Sequence, residues 1–573
     1  MLLYAWLAGR AEVENAPVEV GPHDSGLHFR EVAQEVGIDF VHEPTTVDGL
    51  VSAIASQITA VGAAVSVADV NGDGLPDLYA VTSATGGKNA LYINRGDGTF
   101  DEVAESAGLD DLNNEEDGCC MGSVWADYDS DGLLDVFIYK WGQSQLFRNE
   151  GGLVFRDVTE SAGLTGWMNA SAATWFDYDR DGVLDLYVAG YFSEEHDLWN
   201  LETTKIMHDS FEFSRNGGMN RLYRGIGGGE LEDVTESMGV GTRRWTYAAV
   251  AADFDRDGWP DLYLGNDYGP EELYLNREGQ RFELAEDIGL ESESKSGMCV
   301  ALGDVWGKGS PCVYVTNISK RGYLFQGNNL RVSLLESGGP MMQIADGVET
   351  DCGWAWGAQF ADLDRNGLQD LVVVNGFVSA SKERDYWYQM SKIGLANGSV
   401  IADAAQWPEF GDRSLSGYER TRVMLNSGRS MPFFSEVGAE VGVTDVYDGR
   451  AVAVADLFGT GRLDIIVANQ NGPLLVYKNE GQDDFHWISF DLVGQGKNWE
   501  AIGAEVELYY GERRQLQVVT TAVGFASQNQ RRLYFGVGED AGPLRATVRW
   551  PSGQTQELDG LTVDRVHELE EPE

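Results

Sequence analysis

The chain is poor in what it takes to bind nucleic acid, cross a membrane or lock itself with disulfides. Basic residues number 41 against 92 acidic ones, a formal charge of -51, and a surface of that sign repels phosphate backbones. No apolar run reaches the eighteen or so residues that a membrane helix needs. The apolar start MLLYAWLAG is short and lacks a basic flank. It leads into a polar stretch, so residues 1–26 read as an N-terminal segment, either the remnant of an export signal or a frayed end. Five cysteines (Cys119, Cys120, Cys299, Cys312, Cys352) show no CxxC spacing and are too sparse for a disulfide scaffold, which leaves the redox compartment open. The adjacent Cys119 and Cys120 read as small buried thiols. Seven histidines lack metal spacing, and no G-x-S-x-G, P-loop or dinucleotide fingerprint occurs.

What is abundant is core material and turns. Hydrophobic residues make up 43% of the 573 positions, aromatics 11%, and there are 71 glycines. This composition describes a large folded protein rich in strands and tight turns.

Internal repetition organises most of it. Five segments are alike: DVNGDGLPD (69–77), DYDSDGLLD (127–135), DYDRDGVLD (177–185), DFDRDGWPD (253–261) and DLDRNGLQD (362–370), with eroded copies DVWGKGSPC (304–312) and DLFGTGRLD (456–464). A short element follows each: LYIN at 91, LFRN at 146, LYRG at 222, LYLN at 273, LFQG at 324, VMLN at 423 and VYKN at 476. A third element, F-x-x-V-x-x-x-x-G, begins at 29, 100, 155, 231 and 434, with a relative at 281 and a worn copy expected near 330–340. Its first copy precedes the first acidic loop and none follows the last, so residues 28–33 are placed to complete the final unit. Period-2 alternation beside the loops predicts strands. The expected fold is all-β: a seven-bladed β-propeller over 27–480 whose N-terminal strand closes the last blade, then a small β domain over 484–571. Longer spacings predict insertions at about 191–219 and 377–420, as surface loops or as lids.

Carboxylates at positions 1, 3, 5 and 9 with glycine at 6 are oxygen-ligand chemistry for a hard cation, the main-chain carbonyl at 7 completing the shell. The five intact loops assign Ca²⁺ to Asp69, Asn71, Asp73, Leu75 and Asp77; Asp127, Asp129, Asp131, Leu133 and Asp135; Asp177, Asp179, Asp181, Val183 and Asp185; Asp253, Asp255, Asp257, Trp259 and Asp261; and Asp362, Asp364, Asn366, Leu368 and Asp370. An EF-hand is excluded, since position 12 lacks glutamate and strand patterns flank the loops. In the eroded loops Trp306, Lys308 and Cys312, and Phe458 and Thr460, replace ligands. Cytosolic calcium is too scarce for modest-affinity sites of this kind, which favours a secreted, periplasmic or cell-surface location.

The loops resemble the FG-GAP, or VCBS-type, repeats of integrin-like propellers. The stretch from HWISFDL (486) through NWEAIGAEVELYYG and GFASQNQRRLYFGVG to VRWPSGQ (548–554) resembles the ASPIC/UnbV domain that follows such propellers in bacterial proteins and in the cartilage acidic protein group. The resemblance implies a calcium-binding, usually exported propeller with a small β domain, and leaves the biochemical role open.

Registering the inner strands on the first aspartate of each loop places one set of residues at the channel end remote from the metals. Eight positions before lie Trp245, Trp354 and Asp448; six before lie Met121, Tyr247, Met298, Trp356 and Arg450. Two readings follow. In one the aromatics wedge between blades, Asp448 and Arg450 form a structural pair, and the protein is a recognition or adhesion module for an extracellular protein, glycan or small molecule. In the other, Asp448, Arg450 and Tyr247 serve catalysis at an aromatic pocket, by analogy with calcium-binding propellers among cyanobacterial alkylating enzymes, in a cyclase or alkylase of specialised metabolism. The tripeptide Arg95-Gly96-Asp97 sits in a repeated turn and reads as coincidence. Asn169, Asn317 and Asn397 fit glycan acceptors by pattern alone.

Overall fold

The computed structural model describes residues 26–573 except 291–293, 321, 345–350, 429–433, 483 and 540–541. The expected N-terminal segment, apart from residue 26, lies outside the described residues. Among the described residues no helix is long and apolar enough to cross a membrane.

Strands dominate, and they recur in antiparallel groups of four. The first strands of successive sheets are Ala64–Ala68, Gly118–Ala126, Ala170–Phe176, Thr246–Ala252, Val300–Gly303, Ala355–Ala361 and Asp448–Ala455. Each runs into its acidic loop, and the ninth loop position opens the second strand, as Asp77, Asp135, Asp185, Asp261, Cys312, Asp370 and Asp464 do. Each first strand packs on the next, and Asp448–Ala455 packs back on Ala64–Ala68. The seventh sheet takes its outer strand from the other end of the chain, with Phe29 opposite Asn479 and Glu31 opposite Tyr477. First strands are buried on both faces, so they read as runs of small and apolar residues rather than as alternation. Close approach demands the small ones: a Cβ on Gly357 would lie 2.6 Å from the Arg450 carbonyl oxygen.

Two registers differ from the sequence reading, both in the fifth sheet. LFQG is not its third strand: Leu324–Phe325 pairs with Ser319–Lys320 in a separate exposed hairpin, and Asn329–Ser333 takes the place beside Cys312–Val315. The worn F-x-x-V copy lies at Met341–Gln343 and Ile344, not at 330–340. The Ile344 N–H donates to Leu330 O at 2.8 Å, as Val103 does to Leu91 and Val158 to Leu146. The misreading arises because an inserted hairpin happened to carry the motif's residues.

Sheets are tied to one another by the asparagine that ends the third strand. Its side-chain amide donates to the carbonyl at loop position 2 of the preceding sheet: Asn94 to Leu457 (2.9 Å), Asn149 to Val70 (3.4 Å), Asn276 to Tyr178 (2.9 Å), Asn426 to Val305 (3.0 Å) and Asn479 to Leu363 (3.0 Å). Ser333 does the same through its hydroxyl to Phe254 (2.6 Å). In the third sheet Gly225 occupies the position and has no side chain to donate.

In five sheets the first strand carries a β-bulge, and the unpaired residue there is Met121, Ser171, Tyr247, Trp356 or Arg450. A bulge re-aims a side chain, which is why the residue six before the loop leaves the alternation of its strand.

The C-terminal region has two sheets, Leu533–Gly538/His486–Val493/Val566–Glu570 and Arg513–Val518/Glu505–Tyr510/Leu544–Arg549/Thr555–Leu561. They enclose their own core, including Ile488, Phe490, Val506, Phe535 and Trp550. One loop leaves this module and enters the array, where Ser527–Gln528 adds a parallel strand to Ala64–Ala68.

Candidate metal loops and an aromatic cavity

Each loop is built around its first aspartate, which accepts the N–H groups of positions 5 and 6. Asp127 accepts from Asp131 (3.0 Å) and Gly132 (2.8 Å), Asp253 from Asp257 (3.0 Å) and Gly258 (2.9 Å). The eroded loops keep this bond, Gly309 donating to Asp304 (2.6 Å) and Gly461 to Asp456 (2.8 Å). The chain turns twice through the left-handed region, at position 4 (Ser130 φ 64°, Arg180 58°, Arg256 63°, Arg365 61°) and at the glycine of position 6 (Gly132 91°, Gly367 88°). The ninth aspartate staples loop to sheet: Asp261 accepts from Phe254 N (2.9 Å) and Asn276 N (2.8 Å), Asp370 from Leu363 N (3.0 Å) and Asn426 N (2.8 Å). The position-7 N–H, in Leu75, Leu133, Val183 and Trp259, donates to the carboxylate at position 5.

These bonds leave oxygens over. Among the described residues, carboxylate oxygens lie within 4.8 Å of one another in four groups: Asp127/Asp129/Asp131, Asp177/Asp179/Asp185, Asp253/Asp255/Asp261 and Asp362/Asp364/Asp370. Asp69, Asp73 and Asp77, with Asn71 at position 3, do not gather as closely as these. Buried oxygens of Asp129, Asp135, Asp362 and Asn366 have no hydrogen-bond partner, so the donor set fits a hard oxygen-seeking cation, and the acidic clusters can hold a metal ion. Burial, reinforced by the neighbouring carboxylates, pushes Asp135 up to about 9 and Asp177 to about 7. Burial also raises Asp253 to about 7 and Asp77 to about 7. Arginines lend partial compensation: Arg224 lies 2.6 Å from Asp179, and Arg148 3.7 Å from Asp129. In the eroded loops, Lys308 and Lys478 sit over the rings of Trp306 and Phe458.

Nothing in the loop motifs announced their second partner. The C-terminal module sits on them. Trp499 Nε1 donates to Asp127 (2.6 Å), Gly536 N to Asp362 (3.1 Å), Leu516 N to Asp304 (3.2 Å) and Tyr534 OH to Asp456 (3.3 Å). Arg256 is held between Glu505 (2.7 Å) and Glu507 (2.5 Å), and Arg180 donates to Pro551 O (3.1 Å). The entering loop carries Phe525 to 5.5 Å from Tyr247 and 5.1 Å from Trp356.

On the far side of those rings a cavity of about 410 Å³ opens. Trp245, Tyr247, Met298, Trp354 and Trp356 form its floor and walls together with Asp267; Met121 does not line it. The two insertions and the Leu324 hairpin supply the upper wall: Tyr191, Met207 and Phe211 from one, Phe377, Trp387 and Leu395 from the other. They also bind one another, Ala404 N donating to Thr204 O at 2.8 Å. The rim is exposed and apolar, with Leu395 90% and Tyr323 55% accessible.

Asp448 and Arg450 are not in that wall. The Arg450 guanidinium is fully buried and donates to the carbonyls of Ala60 (2.6 Å), Gly376 (2.8 Å) and Phe377 (2.5 Å), with its central carbon 4.4 Å from the centroid of the Trp356 ring. Burial lowers it to about 10. Asp448 accepts from the N–H (2.6 Å) and hydroxyl (2.8 Å) of Ser379; burial raises its pKa and Arg450 opposes the rise. Asp267 was absent from the sequence reading. It lies 22 residues after Trp245 and 20 after Tyr247, directly after the strand Asp261–Asn266 that returns to the same end.

Other motifs fall outside both regions. Arg95 pairs with Asp101 at 3.0 Å in its turn. Asn169 and Asn317 are buried, which excludes them as surface glycan acceptors in the folded chain, whereas Asn397 is exposed. All five cysteines are free and buried, and burial raises the Cys120 thiol to about 11.

Residues 494–573 match the ASPIC and UnbV family, and 69–138, 127–188 and 212–264 match FG-GAP-like repeats. The chain thus carries FG-GAP-like repeats followed by an ASPIC/UnbV region, as the motifs implied. Curated relatives include cartilage acidic protein 1 of Homo sapiens, 27% identical over 270 residues that cover 44% of this chain and 33% of that protein, and its Mus musculus counterpart, 26% identical over 270 residues. The chain spans about a third of the length of these relatives. Among solved structures, an Agrocybe aegerita lectin that recognises non-reducing terminal N-acetylglucosamine is similar, with 15% identity, a TM-score of 0.37, and coverage of 73% of this chain and 94% of that one.

Proposed function

We propose that this protein is a calcium-stabilised recognition module of the extracellular type, which takes a ligand into the aromatic cavity. In this reading the seven sheets of residues 27–480 are the blades of a closed seven-bladed propeller, with residues 484–571 docked across its acidic end. Ca²⁺ occupies the five intact loops, and the protein works where calcium is plentiful: secreted, periplasmic or on the cell surface. Neutralising the clustered aspartates holds loop and sheet together and gives the C-terminal module a fixed surface. The ions supply charge and coordination only.

The observation that carries the reading is the cavity of about 410 Å³, walled by Trp245, Tyr247, Met298, Trp354 and Trp356, with an apolar rim built by both insertions. Its size and composition fit small-molecule sites of roughly 300–1,000 Å³, and chain insertions that meet over it act as a lid. A catalytic role for Asp448 and Arg450 has less support, because carbonyl oxygens occupy the guanidinium's donors. Two measurements test the proposal. Metal analysis of protein dialysed against calcium should find four to five equivalents, four clusters being gathered already, with one fewer in Asp370→Asn and no change in Asp464→Asn. Trp354→Ala should weaken binding of an apolar probe to the cavity while leaving metal content unaltered; a calcium-free protein of undiminished stability would defeat the structural half.

A further inference from the structure

We propose that the cavity recognises an organic cation: an ammonium or amidinium head set on Asp267, with an apolar or aromatic body against Trp354, Trp356 and Phe377. This rests on the cavity being the recognition site and adds the chemical class of its ligand.

Asp267 is the sole acidic or basic side chain among the described lining residues. It follows directly on the strand Asp261–Asn266, and its N–H donates to Trp245 O at 2.8 Å, so the sheet fixes its position. The residue is 7% accessible, its Oδ2 accepts from Tyr191 OH at 2.7 Å, and the side chains of Tyr268 and Ser296 also hydrogen-bond its carboxyl. Ionised in this apolar cavity, the carboxylate would gain from a cationic partner, and none of the described lining residues provides one.

The rings around it favour the same charge. Tyr191 meets Trp245 edge-on with centroids 4.8 Å apart, Trp245 meets Tyr268 at 5.7 Å, and Tyr191 stacks on Tyr247 at 4.1 Å. Aromatic faces carry negative potential and attract cations. An anion would meet the reverse.

Another part of the wall differs. Trp354 stacks on Phe377 at 4.3 Å, and the guanidinium of Arg450 already lies 4.4 Å from the Trp356 ring. A ring that faces one cation attracts a second less strongly. That wall therefore suits the uncharged body, and Met298 beside it adds an adaptable apolar surface. The lining is thus unequal, a carboxyl among tyrosines and Trp245 on one part and rings beside a guanidinium on another, which orients an amphiphilic amine. The formal charge of -51 draws cations toward the whole molecule.

The test is calorimetric titration of the full calcium-loaded chain with three probes of one body: 3-phenylpropylamine, 3-phenylpropanol and 3-phenylpropionate. The amine should bind about tenfold tighter than the alcohol, and the propionate weakest. Asp267→Asn should bring amine and alcohol within about twofold, and Asp267→Glu should keep the preference. If Asp267→Asn does not fold, Ser391→Lys on the exposed rim should abolish the preference for the amine. An alcohol that binds as tightly as the amine, a tighter propionate, or a preference that survives Asp267→Asn overturns the cation and leaves the cavity reading standing. No binding by any probe, or binding of all three that Trp354→Ala leaves unchanged, overturns the cavity itself and this proposal with it.

Discussion

The two ends of the first strands solve opposite problems. At one end, aspartates crowd around main-chain N–H groups and spare oxygens, and the C-terminal module covers them. At the other, tryptophans and tyrosines leave a cavity with one carboxylate and an apolar rim. The acidic end is repetitive because one backbone turn, with the first carboxylate accepting the N–H groups of positions 5 and 6, recurs from sheet to sheet. The aromatic end is irregular: the five bulges carry five different side chains, of which Tyr247 and Trp356 line the cavity, and insertions from two sheets supply much of the rest. Phe525 joins the two, reaching from the module that reads the loops to the rings that floor the cavity.

The sharpest way to break this contrast is to remove the metal. At free calcium about 100 times Kd each site contributes about 2.7 kcal/mol, so four sites sum to roughly 11 kcal/mol, and with an unfolding entropy of about 2.1 cal/mol/K per residue chelation should lower Tm by about 9 °C in a melting scan. An unchanged Tm would reduce the acidic end to a solvated face. Next, Phe525→Ala should cost about 3 to 5 kcal/mol in denaturant unfolding and weaken the amine probe without altering calcium content, since it empties the floor between the two ends. A smaller loss belongs to the sheet-to-sheet staples. Asn149→Ala leaves the Val70 and Leu134 carbonyls without their donor and should cost about 1 to 3 kcal/mol.

The finest discrimination is by pH. Burial raises Asp267 to about 7, so the folded protein holds a proton there that an unfolded chain would release near pH 4. A cationic ligand must displace that proton below pH about 7, so its affinity should rise as pH approaches that value and level off above it. The groups around the carboxylate do not confuse the profile. Tyr191, Tyr247 and Tyr268 are pushed far above the usual tyrosine range by burial, His208, stacked on Tyr268, is lowered to about 3, and Arg450 beyond Tyr247 stays charged to about 10. Calorimetry of the amine across neutral pH reads this as a few-fold change; a flat profile would detach Asp267 from the head group.

Local pattern sufficed where the chemistry is local. Aspartate spacing over nine positions, the strand after it and the offset of the F-x-x-V element are short-range facts, and the paired strands Phe29–Glu31 and Leu475–Asn479 bear out the offset. The fifth sheet misled because the third-strand motif is only four residues long, and an inserted hairpin imitated it. Arg450 and Asp448 looked like a pair in sequence, yet their partners are the Ala60 carbonyl and Ser379, both remote along the chain.

Composition and repeat spacing by themselves determined that this is an all-β protein of sheets joined by acidic turns, because a metal-type loop and a strand each need only their own residues. Tertiary structure alone decided which side chains the bulges turn inward, that the C-terminal module lies on the acidic end, and that Asp267 meets Tyr191 and Trp245. Those outcomes depend on which sheets become neighbours, and burial assigns a carboxylate its partner and its charge only after the chain has closed around it.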